Sequence, residues 1–133
     1  MLVLWRKEMN NGLPVTMNLF SVIKDINTIK WDEHSALGRQ NARIFDIFHN
    51  DSGQRIALVH CAPGASAKSH FHKGHETFLI LDGSFEDDNG VYHPGDLICY
   101  APGSQHAWRT PQGALIYATW GDRVESELTG AVA

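Results

Sequence analysis

The chain has 133 residues, 43% hydrophobic and 20% charged, with a formal net charge of −4. That is the make-up of one globular domain, long enough to bury a core without disulfide staples. A mildly negative chain with no Lys/Arg cluster argues against nucleic acid or an anionic membrane as partner. No apolar run reaches the length of a bilayer span, and the charges at Arg6, Lys7 and Glu8 spoil the N-terminus as a signal peptide, so a cytoplasmic protein is expected.

In chain order, residues 1–16 differ from the rest and read as a loose arm. Residues 17–122 form one domain, and 123–133 a polar, then small, fraying tail. Leu19 to Lys30 has no clear period. From Arg43 to His49 apolar and polar residues alternate, Asn50 to Gly53 reads as a turn, and Arg55 to Cys61 completes a hairpin. Ala62-Pro63-Gly64 ends that strand. Thr77 to Leu81 is a nearly continuous apolar strand stopped by Asp82-Gly83. Phe85 to Asp87 and Val91 to His93 flank Asp88-Asn89-Gly90, a strong hairpin signal. Asp96 to Tyr100 and Ala114 to Trp120 are further strands. Turn signals recur roughly every 8 to 12 residues, which predicts an all-β sandwich or barrel. Cys61 and Cys99 lie far apart inside apolar runs and read as buried small hydrophobes.

Four residues carry the chemistry: His70, His72, Glu76 and His106. Residues two apart on a strand share a face, so the even-numbered His70, His72 and Glu76 can aim into one cavity, and His106 closes it from a later strand. Three imidazoles and a carboxylate suit one divalent transition metal per chain: Fe2+ or Zn2+, with Mn2+ and Ni2+ also tolerated. Such an ion points to a small-molecule ligand or substrate. Phe78 and Ile80 share the parity of Glu76, and Trp108 that of His106. Phe78, Tyr100 and Trp108 are therefore candidates for the pocket wall, although Phe78 and Ile80 equally suit barrel core. His60, on the preceding strand, could face the interior, depending on register. His75 has the opposite parity and points away. The run Glu86-Asp87-Asp88 reads as a solvated hairpin tip, and Gly64 and Gly83 as turn formers.

The frame Gly64-x5-His70-x-His72-x3-Glu76-x6-Gly83 matches the first motif of the cupin superfamily. The second cupin motif is altered: Pro102 and Gly103 are adjacent, six residues separate Gly95 from Pro102, and Thr110 stands where Asn is usual. With Pro102-Gly103-Ser104-Gln105-His106 and the acidic hairpin before it, the chain resembles the ChrR-like cupins over roughly residues 28–120. His75 replaces an acidic residue often found there. The resemblance implies a small antiparallel β-barrel of the jelly-roll type (a double-stranded β-helix), with Leu19 to Lys30 as an N-terminal strand, a metal at the barrel mouth, and a homodimer. It also implies two functions. One is that of acetylacetone-cleaving dioxygenases, with iron on His70, His72 and His106 and with Glu76 as a fourth ligand or catalytic base. The other is that of the zinc-binding regulatory domain of ChrR, which would make this chain a ligand or stress sensor. The His-x3-Cys-x2-Cys pattern of the separate anti-sigma domain is absent from the sequence, so that activity does not carry over.

Overall fold

The structure is a computed structural model that describes residues 14–126. The first element is a short helix, α1 (Leu19–Lys24), followed by a 3-10 turn over Ile26–Thr28. This differs from the strand implied by the resemblance. Asn18 caps α1 by accepting the Ser21 N–H at 3.1 Å, and Asp25 accepts that of Asn27 at 3.0 Å. Val22 and Ile29 are buried, and Leu19, Ile23 and Ile26 are partly buried beside them, a helical spacing rather than an alternating one.

Among the described residues ten strands follow: β1 (Asp32–Glu33), β2 (Gln40–His49), β3 (Arg55–His72), β4 (Glu76–Gly83), β5 (Phe85–Asp87), β6 (Gly90–Tyr92), β7 (Leu97–Tyr100), β8 (Gln105–Thr110), β9 (Ala114–Trp120) and β10 (Val124–Ser126). All their pairings are antiparallel, and they curl into one barrel-like sheet. The all-β expectation holds. The last strand lies past residue 122, where the sequence pattern ends the domain: Val124–Ser126 pairs with His72–His70 instead of fraying. Of the expected arm, residues 1–13 lie outside the described residues.

The long strand β3 organises the sheet. Its first half, Arg55–Cys61, runs between β2 and β9; its second half, Ala65–His72, runs between β8 and β10. At the changeover sits Gly64, with φ +85°, a conformation open to glycine and unfavourable for other residues. The sheet continues through β8 to β5 and β6, and through β9 to β4 and β7.

Side chains sort by face. Ala42, Ile44, Val59, Cys61, Phe78, Ile80, Phe85, Trp108 and Ile116 pack inside the curl. Phe45, Leu58 and Leu115 point the other way and are covered by Val22 and Ile29 of the N-terminal segment. Cys61 is buried and unbridged, and burial pushes its thiol up to about 12, so it behaves as an inert apolar group; Cys99 is exposed and free.

A bulge in β3 decides what reaches the interior. Ala67 pairs with Trp108 and His70 with His106, so three residues of β3 advance against two of β8. Before the bulge the odd-numbered residues Ala57, Val59, Cys61, Ala65 and Ala67 face inward; after it, His70 and His72 do.

Gly83 closes β4 under a hard steric limit. Its φ is +74°, and a Cβ there would lie 2.1 Å from the carbonyl oxygen of Gly113. Gly83→Ala should destabilise the fold by about 2 kcal/mol or more, read as a lowered midpoint in urea with an unchanged slope; a wild-type midpoint would show that β4 and the Gly113 turn separate freely.

Candidate metal centre

β3 delivers His70 and His72, β4 delivers Glu76 as its first residue, and β8 delivers His106. All four are buried, and their ligand atoms lie within 4.8 Å of one another. The Nε2 atoms of His72 and His106 stand 3.0 and 3.2 Å from Glu76 Oε1. Even so, these three atoms have no hydrogen-bond partner. Three orphaned buried polar atoms at such separations fit a shared ion better than a network of their own, because an unsatisfied buried polar group is costly.

The far side of each ring is tied down. His70 Nδ1 lies 2.8 Å from the Lys68 carbonyl, His72 Nδ1 3.0 Å from Ser104 Oγ, and His106 Nδ1 3.2 Å from Asp87 Oδ2. A carbonyl and a carboxylate can only accept. Ser104 already donates its proton to the Ala101 carbonyl at 2.6 Å, so it too accepts from the ring. Each Nδ1 is therefore the N–H, and each Nε2 presents a lone pair to the centre, the tautomer that metal ligation needs. Trp120 Nε1 donates to Glu76 Oε2, which leaves Oε1 free to face the imidazoles.

With no ion between them, the same groups perturb one another strongly. Burial pushes the Glu76 carboxyl up, but the His106 and His72 rings outweigh it and hold it down to about 2, so it is a carboxylate at neutral pH. Burial draws His70 down to about 4, which keeps it neutral. Burial also lowers His106, but Glu76 and Asp87 reverse the direction and raise it.

Asp87 is the residue that sequence reasoning misses. Far from being a solvated tip, it is buried and accepts from the Asn89 N–H at 2.8 Å, Tyr92 Oη at 3.2 Å, Tyr100 Oη at 2.5 Å and His106 Nδ1. Its signal was in the sequence: Asp87 shares the parity of Phe85, which is buried. Glu86, one residue earlier, points out and pairs with Arg109.

The other nominated residues separate. Tyr100 reaches the centre, its ring 4.4 Å from that of His106 and 5.6 Å from that of His72. Phe78 packs edge-on against Phe85, Tyr100 and Trp120, and Trp108 packs on Phe85; both are core. His60 is corrected outright. It precedes the bulge, so it faces outward, where its Nδ1 sits 2.7 Å from Arg43 Nη2 and its ring packs beside Trp31. His75 also points outward, toward Thr119.

A cavity of about 290 Å³ opens beside Trp120, lined among others by Arg39, Asp46, Arg55, Asp122 and Arg123. None of Phe78, Tyr100, Trp108 or His60 lines it. Parity identifies a face, but the aromatic side chains on that face fill the layer next to the ligands, so open space begins only beyond Trp120.

A curled antiparallel sheet with three histidines and a glutamate converging inside defines a cupin with a candidate mononuclear metal site. The chain belongs to the ChrR cupin-like domain family, whose model matches residues 21–122. Among curated protein sequences none matches it. Solved structures with the same fold include a candidate acetylacetone dioxygenase of Methylibium petroleiphilum PM1 (TM-score 0.69, 14% identity, covering 82% of this chain and 83% of that one). An acetylacetone dioxygenase of Acinetobacter johnsonii is similar at TM-score 0.61 and 16% identity, over 78% of this chain and 82% of that one. Rhodobacter sphaeroides ChrR, in complex with SigE, matches at TM-score 0.59 and 18% identity, over 71% of this chain but only 50% of that one.

This geometry leads to two expected outcomes. Asp87→Asn should loosen His106 and weaken metal affinity about 10- to 100-fold, measured by competition with a chromophoric chelator; unchanged affinity would remove Asp87 from the site. His34 is buried beside Trp120, and burial, then Arg39 and Arg55, hold it down to about 2. Above pH 6.5 it is neutral both folded and unfolded; as pH falls below 6.5 only the unfolded chain takes up the proton, so stability is lost toward acid. At pH 5.5 this one group should cost about 1 kcal/mol, and His34→Gln should flatten the denaturation profile by that amount.

Proposed function

We propose that the chain is a mononuclear metal-dependent enzyme of dioxygenase-like type, acting on a small enolisable carbonyl compound. The observation that carries this is the convergence of orphaned His72 Nε2, His106 Nε2 and Glu76 Oε1 with His70, in a buried cluster whose outer ring nitrogens are all tied down. A divalent ion held by His70, His72, Glu76 and His106 would polarise a carbonyl, stabilise an enolate and, as iron, bring dioxygen and substrate together.

The chain's own residues do the rest. Glu76 would serve as a fourth ligand to the ion or, unligated, as the base that takes the proton from the carbon next to the carbonyl, while Trp120 fixes its Oε2. Lys68, Ser104 and Asp87 hold the imidazoles in the ligating tautomer. Phe78, Tyr100 and Trp120 pack in an aromatic layer that excludes water from the centre. The same reading takes the chain to be cytoplasmic; no helix among the described residues is long and apolar enough to cross a membrane. It also takes the chain to be a homodimer, since β6 and β7 end the sheet with Val91 and Leu97 exposed.

One observation favours a second reading. The four ligand residues are between 1% and 4% exposed, and none lines the cavity. A closed site of this kind suits zinc held for structure or sensing, without turnover.

Metal content after expression with iron, manganese, nickel and zinc all available separates the two. Near-stoichiometric iron, with oxygen uptake on a diketone that disappears in His72→Ala, is expected. Stoichiometric zinc with no oxygen uptake after iron reconstitution would overturn the enzyme in favour of the sensor. Full metal occupancy in His72→Ala would overturn the site.

A further inference from the structure

Arg39 is the most anomalous charge in the protein. It is only 6% exposed, yet among the described residues no carboxylate pairs with it. Among the described residues its single side-chain hydrogen bond runs from Nη1 to the Ala36 carbonyl at 3.0 Å. A guanidinium has five N–H groups, and a buried charge without a counter-ion is costly. Burial draws Arg39 down to about 10, so it remains a cation at neutral pH. Its remaining N–H groups are not among the orphaned buried atoms; they meet open space at the cavity wall.

The other charges of the wall cancel, Arg55 and Arg123 against Asp46 and Asp122. Arg55 is spent on Asp46, with Nε and Nη2 at 2.5 and 2.9 Å from its two oxygens. Arg123 and Asp122 contribute one charge of each sign, and Arg39 has no ion pair, only the longer-range attraction of Glu76. Two unusual backbone conformations bracket it: Leu37 (φ +60°) and Asn41 (φ +58°) are the non-glycine residues of positive φ among those described. Such conformations persist where the surrounding structure over-determines them, often around ligands. Trp120, whose indole donates to Glu76 Oε2, lines the same cavity. A molecule seated there therefore meets both a buried cation and the residue that orients the Glu76 carboxylate.

We propose that this cavity binds a small organic carboxylate, with Arg39 gripping the carboxylate and the carbon skeleton lying against Trp120. A planar guanidinium matches a carboxylate in a bidentate fork, and about 290 Å³ is room for a small molecule, at the lower end for ligand pockets. The proposal goes beyond the enzymatic reading: it assigns a ligand site that Trp120 separates from the metal-ligand cluster, and a keto acid serves as its probe. The anchor itself needs no metal.

The test is calorimetric titration of the intact metal-free chain, then of the metal-loaded chain, with acetoacetate, its neutral methyl ester and inorganic phosphate. Acetoacetate should bind the metal-free protein at least tenfold more tightly than the ester or phosphate. Arg39→Gln should abolish that preference, and Arg39→Lys should retain only part of it. Equal binding of acetoacetate and ester by the wild type overturns the proposal without any variant, so a misfolded variant cannot rescue it. Phosphate binding as tight as acetoacetate overturns it in favour of a general oxyanion site. If the preference is present but oxygen uptake is absent from the iron-loaded protein, the carboxylate site stands and the enzymatic reading falls; oxygen uptake with no preference does the reverse.

Discussion

The centre depends on one irregularity, the bulge between Ala67 and His70. Strand β3 enters the barrel with its odd-numbered side chains inward, and an uninterrupted ladder would have kept them so. His70 and His72 would then face outward with His60, and Glu76 and His106 would meet across an empty space. A bulge supplies a half-turn of side-chain direction without ending the strand. It lies where β3 is bordered by β8 and, two residues on, by β10, so the redirected segment is held by strands on both edges. A ligand pair on an internal strand is better positioned than one on a loop, because the backbone is already ordered before any ion arrives.

From this arrangement a division of labour follows. Nδ1 of each imidazole is committed to an acceptor, and Nε2 of His72 and of His106 is left bare. Asp87 serves several groups at once. Its single carboxylate orients His106, receives the hydroxyls of Tyr92 and Tyr100, and closes the Asn89 turn. Burial works against its charge, and Tyr100, Asn89, His106 and Tyr92 together outweigh burial and keep its pKa low. Tyr100 answers in the opposite direction, its hydroxyl made harder to ionise by burial and by Asp87. The hairpin β5–β6 is therefore tied to the candidate metal ligands through one residue.

Much of this was legible in the sequence, for physical reasons that can be named. The four ligand residues stand in a fixed frame of glycines and prolines, and the strands announce themselves through alternation and turn chemistry. The bulge was not legible: Ala67-Lys68-Ser69-His70 contains no glycine or proline to mark it, and without it the facing of His60 could not be assigned. Asp87 was hidden by its neighbours, since three acids in a row look solvated even when the middle one alternates inward. Arg39 is a lone arginine in sequence, and only its burial without a partner makes it conspicuous. The helix at Leu19–Lys24 shows local capping by Asn18 prevailing over what the resemblance implied.

Trp120 joins two regions that could otherwise change independently. Its ring edge serves Glu76 and its face borders the arginine-lined cavity, with the Arg55 guanidinium 5.9 Å from the ring centroid. A chain that drifts at position 120 alters the metal environment and the cavity in a single step. The candidate metal cluster and the cavity are thereby linked in inheritance: substitutions at Arg39, Arg123 and the turn before β2 reshape the cavity while leaving the indole in place.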